Sequence, residues 1–145
     1  MKMIISKISN IGQKKIIRQF IKFCLVGFLN TFVDFGVYLF FSRVVGLYFL
    51  YANILSVFVA MTSSFILNKY WTFQNHGQGI KIQYLKFSLV NIVYFFLNNS
   101  IVFVAVHYLL IGDIWAKVIA ISIGLFWNFF ANRYWTFRIN AIEEI

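Results

Sequence analysis

Asp34 is the one acid set well inside a long apolar run of this chain, and a carboxylate in that setting has to be paired, neutralised or used. Asn30 lies four residues before it and Gly27 one turn earlier, so the three share a helix face. Four cations stand at the margins of apolar runs: Lys22 and Lys86 at two starts, Lys69 and Arg133 at two ends, with Trp71 and Trp135 just beyond. Residues of these types could receive an anionic phosphate, while the indoles with Asn68 and Asn132 face a sugar. The alternative is plain anchoring, in which aromatics and long basic side chains mark the edge of a membrane. Asn98 and Asn128 continue the polar series inside the runs, and Arg43 and Lys117 fall toward the opposite side. Intramembrane amides also tie helices together, in bonds that average about 0.6 kcal/mol.

The elements that must position these groups follow from composition. The chain is 61% hydrophobic and only 12% charged, with a mean hydropathy of +0.80, outside the range of soluble globular domains. Four runs, near 23–42, 47–67, 87–110 and 114–131, approach the roughly 20 apolar residues that a helix needs to cross a bilayer. They are continuous rather than alternating, which favours helices over a β-barrel. The expectation is an all-α integral membrane protein with four transmembrane helices. The first run is too long for a cleavable signal and has no small-x-small site after it, so it is expected to stay in the chain. Cys24 is the single cysteine, which excludes a disulfide within the chain.

The sequence is also a tandem repeat. Asn68-Lys69-Tyr70-Trp71-Thr72-Phe73 returns 64 residues later as Asn132-Arg133-Tyr134-Trp135-Thr136-Phe137, and Lys22-Phe23-Cys24-Leu25-Val26 lies over Lys86-Phe87-Ser88-Leu89-Val90 at the same shift. This divides a transmembrane domain at 20–138 into repeat 1 at 20–73, a linker at 74–83 and repeat 2 at 84–137. A basic cytoplasmic or interfacial segment at 1–19 precedes it and a short tail at 139–145 follows. Ile4, Ile5, Ile8 and Ile11, interleaved with Lys7, Lys14 and Lys15, suit either a helix lying on the inner leaflet or a disordered arm.

If the four helices alternate in direction, Lys2, Lys7, Lys14, Lys15, Arg18, Lys22, Lys69, Lys81, Lys86, Arg133 and Arg138 share one side, against Arg43 and Lys117 on the other. The basic side is normally cytoplasmic, which places both termini there. Two crossings per copy make the repeat parallel: both hairpins enter from the same side, related by a pseudo-twofold axis along the membrane normal. Asp34 and Asn98 occupy the same repeat position. The +9 charge is then a topology signal and an attraction to anionic lipid, worth about 1 kcal/mol per basic residue near the surface, rather than a sign of nucleic acid.

The opening Lys22-Phe23-Cys24-Leu25-Val26-Gly27-Phe28-Leu29-Asn30-Thr31, the following Asp34, and the endings Asn68 to Phe73 and Asn132 to Phe137 closely resemble the GtrA-like family of small four-helix membrane proteins. The resemblance implies translocation of a polyprenyl-monophosphate-linked sugar, such as undecaprenyl phosphate carrying one hexose, from the inner to the outer leaflet of a bacterial or archaeal cytoplasmic membrane. Such a lipid-linked sugar serves cell-surface polysaccharide synthesis, between a glycosyltransferase that makes it inside and another that consumes it outside. On that reading Lys22, Lys69, Lys86 and Arg133 receive the phosphate. Asn30, Asp34, Asn68, Trp71, Asn98, Asn128, Asn132 and Trp135 meet the sugar, and Arg43 and Lys117 mark the exit. Repeat 2 departs in having Asn91 for Gly27 and no Asn-Thr pair, so the halves need not act alike.

Two other readings use the same residues differently: a proton-coupled exporter of cationic drugs built on Asp34, or a non-transporting anchor for a glycosyltransferase. No catalytic constellation, metal site or cofactor is expected, since His76 and His107 stand apart and the acids are few. No G-x-x-x-x-G-K-[ST] loop is present. A homodimer is expected, because four helices alone offer little wall around a sugar.

Overall fold

The computed structural model describes the backbone of residues 2–77 and 79–138 and the side chains from residue 12 onward. All regular structure among the described residues is helical. Helix α1 (Lys2–Leu39) runs into a π-helical turn (Phe40–Val44), α2 (Phe49–Leu67) into another (Asn68–Thr72), and α4 (Asp113–Ala131), which follows α3 (Ile80–His107), into a third (Asn132–Thr136). Four helices are long and apolar enough to cross a membrane, close to the runs read from the sequence. The backbone of α1 passes residue 20 without a break, so the basic segment is joined to the first span as one continuous helix. The face carrying Ile4, Ile5, Ile8 and Ile11 lies outside the described side chains, and the tail at 139–145 lies outside the described residues.

The chain forms two compact units, Met1–Gln74 and Asn75–Ile145, each a helical hairpin. Within each, the second helix packs on the first along a ladder of small and polar residues at every fourth position. Ala52, Ser56, Ala60, Asn68 and Thr72 are buried in the first unit, and Ala116, Ala120, Gly124, Asn132 and Thr136 in the second. Ser64 and Asn128 complete the two series half-buried. Small side chains let the helix backbones approach closely, which is how helices associate where lipid supplies no hydrophobic drive. The large apolar side chains point outward: Phe28, Phe32, Phe35, Ile54 and Phe96 are each more than half exposed, as suits a surface wetted by hydrocarbon.

A four-residue step overshoots one α-helical turn by about 40°, so a straight α-helix would carry such a ladder off the interface within a few rungs. The π turns at 68–72 and 132–136 widen the spiral and step the ladder back, leaving both Asn and Thr of each motif buried. The Phe73 N–H to Asn68 O bond (2.9 Å) and the Phe137 N–H to Asn132 O bond (2.8 Å) close them at five-residue spacing. Buried Val26, Phe65 and Phe73 answer Val90, Phe129 and Phe137, with Phe23 against Phe73 and Phe87 against Phe137 at the same ring separation, 6.2 Å. Residue pairs identical between the copies thus lie mostly on the hairpin interface, where shape is most constrained.

The turns match as well. Leu47 N–H bonds Phe41 O (2.9 Å) and Ile111 N–H bonds Ala105 O (3.0 Å) in the corresponding loop. Both loops need one residue in the left-handed region, Gly46 at φ 76° and Leu110 at φ 53°. The linker joins the second unit through buried Asn75, whose Nδ2 donates to Phe137 O (3.0 Å) and whose Oδ1 accepts from Gln83 Nε2 (3.2 Å) and Gly77 N–H (3.1 Å).

Candidate functional site

Each hairpin has a turn end, at the loop between its helices, and an open end, where the first helix begins and the second finishes. At the open end of the first unit, the Lys22 ammonium donates to the carbonyl of Trp71 (3.0 Å) and lies 5.1 Å from the centre of its indole. The contact fixes the cation over an aromatic face and binds the start of one span to the π turn ending the next. Lys86 sits over Trp135 in the same way, 5.6 Å from the ring centre. The second cation of each motif leans on the adjacent tyrosine, Lys69 on Tyr70 at 5.5 Å and Arg133 on Tyr134 at 5.5 Å. Within each unit, then, the two cations expected from the sequence gather at one end with their tryptophan. Lys69 is among the most deeply buried side chains of the protein, whereas Arg133 is half-buried.

Next to these cations lie acceptors without donors. Asn68 Nδ2 donates to Ser64 Oγ (3.3 Å) and Asn132 Nδ2 to Asn128 O (2.8 Å), which commits the amide hydrogens to the helix and leaves each Oδ1 unpartnered. Thr72 Oγ1 and Thr136 Oγ1 are likewise shielded and unpartnered, as is Gln19 Oε1 at the start of the first repeat. Such atoms cost about 1–3 kcal/mol each unless a hydrogen-bond donor reaches them. Their recurrence at one shift of 64 residues gives both open ends the same chemistry: positive charge beside hydroxyl-accepting oxygens. Gln19, Thr72 and Thr136 were not singled out by residue type. Their signal was in the sequence, since both threonines belong to the repeated motif and Gln83 stands at the repeat position of Gln19.

Deeper in the spans the copies diverge. In the first, Asn30 and Asp34 lie one turn apart on α1, and the Oδ1 atom of each is shielded without a hydrogen-bond partner. In the second, the same positions hold Tyr94 and Asn98. Asn98 Nδ2 donates to Tyr94 Oη (3.4 Å), while its Oδ1 accepts from the Lys117 ammonium (3.2 Å). Lys117 occupies the repeat position of Asn53, so an acid in one copy is matched by an amide–cation pair in the other. Asn128 Oδ1 is shielded and unpartnered, and Arg43 is exposed in the π turn at 40–44. Trp71 and Trp135 remain partly exposed beside their lysines. The small-residue ladder of α4 makes the room for Tyr94, whose ring covers Gly124.

The chain is 29% identical over 131 residues to a Bacillus subtilis (strain 168) protein named uncharacterized membrane protein YngA, the match covering 86% of this chain and 82% of that one. Residues 22–137 match the family described as GtrA/DPMS, transmembrane domain. That match opens at Lys22 and closes at Phe137, the two ends of the paired cation and tryptophan motifs, and spans all four membrane-crossing helices: the chain belongs to the GtrA/DPMS transmembrane-domain family.

Proposed function

We propose that the protein is a translocase that carries a polyprenyl-monophosphate-linked sugar, of the undecaprenyl phosphate–hexose class, from the cytoplasmic to the outer leaflet of a bacterial or archaeal inner membrane for cell-surface polysaccharide modification. The observation that carries this reading is the duplicated open end, where Lys22 on Trp71 and Lys86 on Trp135 adjoin acceptor oxygens of Asn68, Thr72, Asn132 and Thr136 that have no donor. A phosphate monoester needs cations, and a sugar hydroxyl is a donor seeking oxygen. The two chemistries lie side by side at the depth where a lipid headgroup would enter.

The barrier to be lowered is large, because an ionised group isolated in hydrocarbon costs far more than a protein contact returns. The tail can stay in lipid while only the headgroup crosses, with Asn30, Asp34 and Arg43 offered by the first repeat and Asn128, Asn98 and Lys117 by the second. This task forms no covalent bond, and the protein acts as a carrier between separate glycosyltransferases, as a homodimer that supplies more wall. The test is transfer of a polyprenyl-phosphate-hexose across liposome leaflets, read by an impermeant sugar probe. Loss of a charge-assisted contact worth about 1.5 kcal/mol lowers occupancy roughly tenfold. Lys22→Ala with Lys86→Ala is therefore expected to cut flipping tenfold or more in protein that still elutes as one species; unchanged flipping would remove the phosphate role.

One observation favours a second reading. The shielded, unpartnered Asp34 Oδ1 is also what a proton-coupled exporter of cationic compounds would present. Cation efflux that is abolished both by Asp34→Asn and by an uncoupler, in protein that does not flip lipid-linked sugar, would establish it.

A further inference from the structure

One flank of the second unit carries an apolar groove of about 720 Å³ between α3 and α4, lined chiefly by Leu89, Val93, Phe126, Trp127, Phe130 and Trp135. That is within the roughly 300–1,000 Å³ of ligand pockets, and its wall is almost wholly carbon, with no charged side chain in it. The corresponding flank of the first unit is not a copy. A smaller groove of about 390 Å³ lies there, and Thr62, Ser63 and Ile66 stand where the second repeat has Phe126, Trp127 and Phe130. The open ends have kept their cations and tryptophans while the flanks beside them have diverged.

Trp135 belongs to both features. It lines the groove and also carries the Lys86 ammonium, 5.6 Å from its ring centre, so a carbon-walled slot ends at a fixed positive charge. That arrangement is complementary to a long hydrocarbon ending in a phosphate. The wall then chooses between hydrocarbons. A saturated acyl chain loses much rotamer freedom when it is confined, whereas an isoprenoid, stiffened by its double bonds, loses less. Its methyl branches and alkene planes also offer flat surfaces to three consecutive aromatic rungs of α4 and its π turn.

We infer that this groove seats the head-proximal isoprenoid segment of a polyprenyl phosphate lipid, and that the second repeat alone holds the tail. The inference rests on the translocase reading and adds a division of labour to it: the groove of the first repeat, at about 390 Å³, is also apolar but smaller, and its wall does not include Trp71, so it does not end at the lysine that rests on that indole.

The full-length protein in nanodiscs of phosphatidylethanolamine and phosphatidylglycerol is photolabelled with a polyprenyl monophosphate bearing a diazirine in the isoprene units next to the phosphate. A phosphatidylglycerol with a diazirine in its acyl chain serves as the control. The polyprenyl probe is expected to label peptides containing 89–93 and 126–135 at least fivefold over those containing 25–29 and 62–71, with the excess competed by unlabelled polyprenyl phosphate and not by phosphatidylglycerol. Phe126→Thr with Trp127→Ser, which installs the first repeat's side chains, abolishes that excess. Trp127→Leu, which keeps the flank apolar and the fold safe, lowers it at least twofold. Equal labelling of both repeats, or an excess that phosphatidylglycerol competes, makes the groove a seat for ordinary lipid and overturns the inference while leaving translocation standing. If the polyprenyl probe labels no peptide above the control and no flipping occurs, both readings fall together.

Discussion

Gly124 and Tyr94 form a pair that the first repeat answers with Ala60 and Asn30, one small and one large side chain exchanged for two of middling size. A Cβ at Gly124 would fall on the ring of Tyr94, so the glycine is required by the tyrosine and not by backbone conformation. Gly124→Ala is expected to cost about 1–3 kcal/mol through overpacking, visible as a lower thermal midpoint in detergent. Adding Tyr94→Asn recreates the first repeat's pair and should recover most of that loss; a double variant no more stable than the single one would show that the two positions are not coupled. Residue type alone found the cations at the open ends, because charge beside a long apolar run is conspicuous. It did not find Thr72, Thr136 or Gln19, which are ordinary residues until burial strips them of partners. Nor did it reveal that Asn98 is already engaged by Lys117 while Asn30 and Asp34 keep free oxygens, a distinction that depends on side-chain direction.

At the level of elements, the spans were legible because a bilayer demands a minimum length of apolar helix and the sequence supplies four such lengths. The π turns were not, since a repeated Asn-x-Tyr-Trp-Thr-Phe reads equally well as one more α-helical turn. What requires them is the four-residue ladder, which only a wider turn returns to the interface. The hairpin loops raise a second point of this kind. Both loops place one residue in the left-handed region, and only the first places glycine there. A side chain in that conformation costs about 1–2 kcal/mol, of which a glycine gives back about 0.5–1 kcal/mol in unfolded-chain entropy. Leu110 is 86% exposed and has little packing to lose, so Leu110→Gly is expected to stabilise the fold slightly. Gly46→Leu, the reverse change at the equivalent place, should destabilise it by about 0.5–1 kcal/mol, the same strain less the same entropy. Thermal unfolding of both variants decides the matter, and a loss of stability in each would mean that the loops are held by something other than backbone preference.

For the molecule as a whole, the orientation expected from an even number of crossings per repeat is open to a direct test. A copy containing two spans ends on the side where it began, so two such copies in tandem present their open ends to one compartment and their turn ends to the other, however the hairpins pack. The excess of basic residues at the open ends is the ground for expecting that compartment to be the cytoplasm. The proposed direction of transport depends on it, because the cations and unpartnered oxygens of both copies would then face the leaflet where, on that proposal, the lipid-linked sugar is made. In a Cys24→Ser background, single cysteines at Val44 and Ile114, both strongly exposed at turn ends, should react with an impermeant maleimide in intact bacteria. A cysteine at His76, in the linker, should react only after the membrane is opened. Labelling of 44 and 114 from opposite sides would make the repeat inverted and reopen an alternating exchange of halves. Labelling of 76 from outside, with 44 and 114 protected, would place the cation rims on the far leaflet, where they would receive the sugar lipid only after it had crossed.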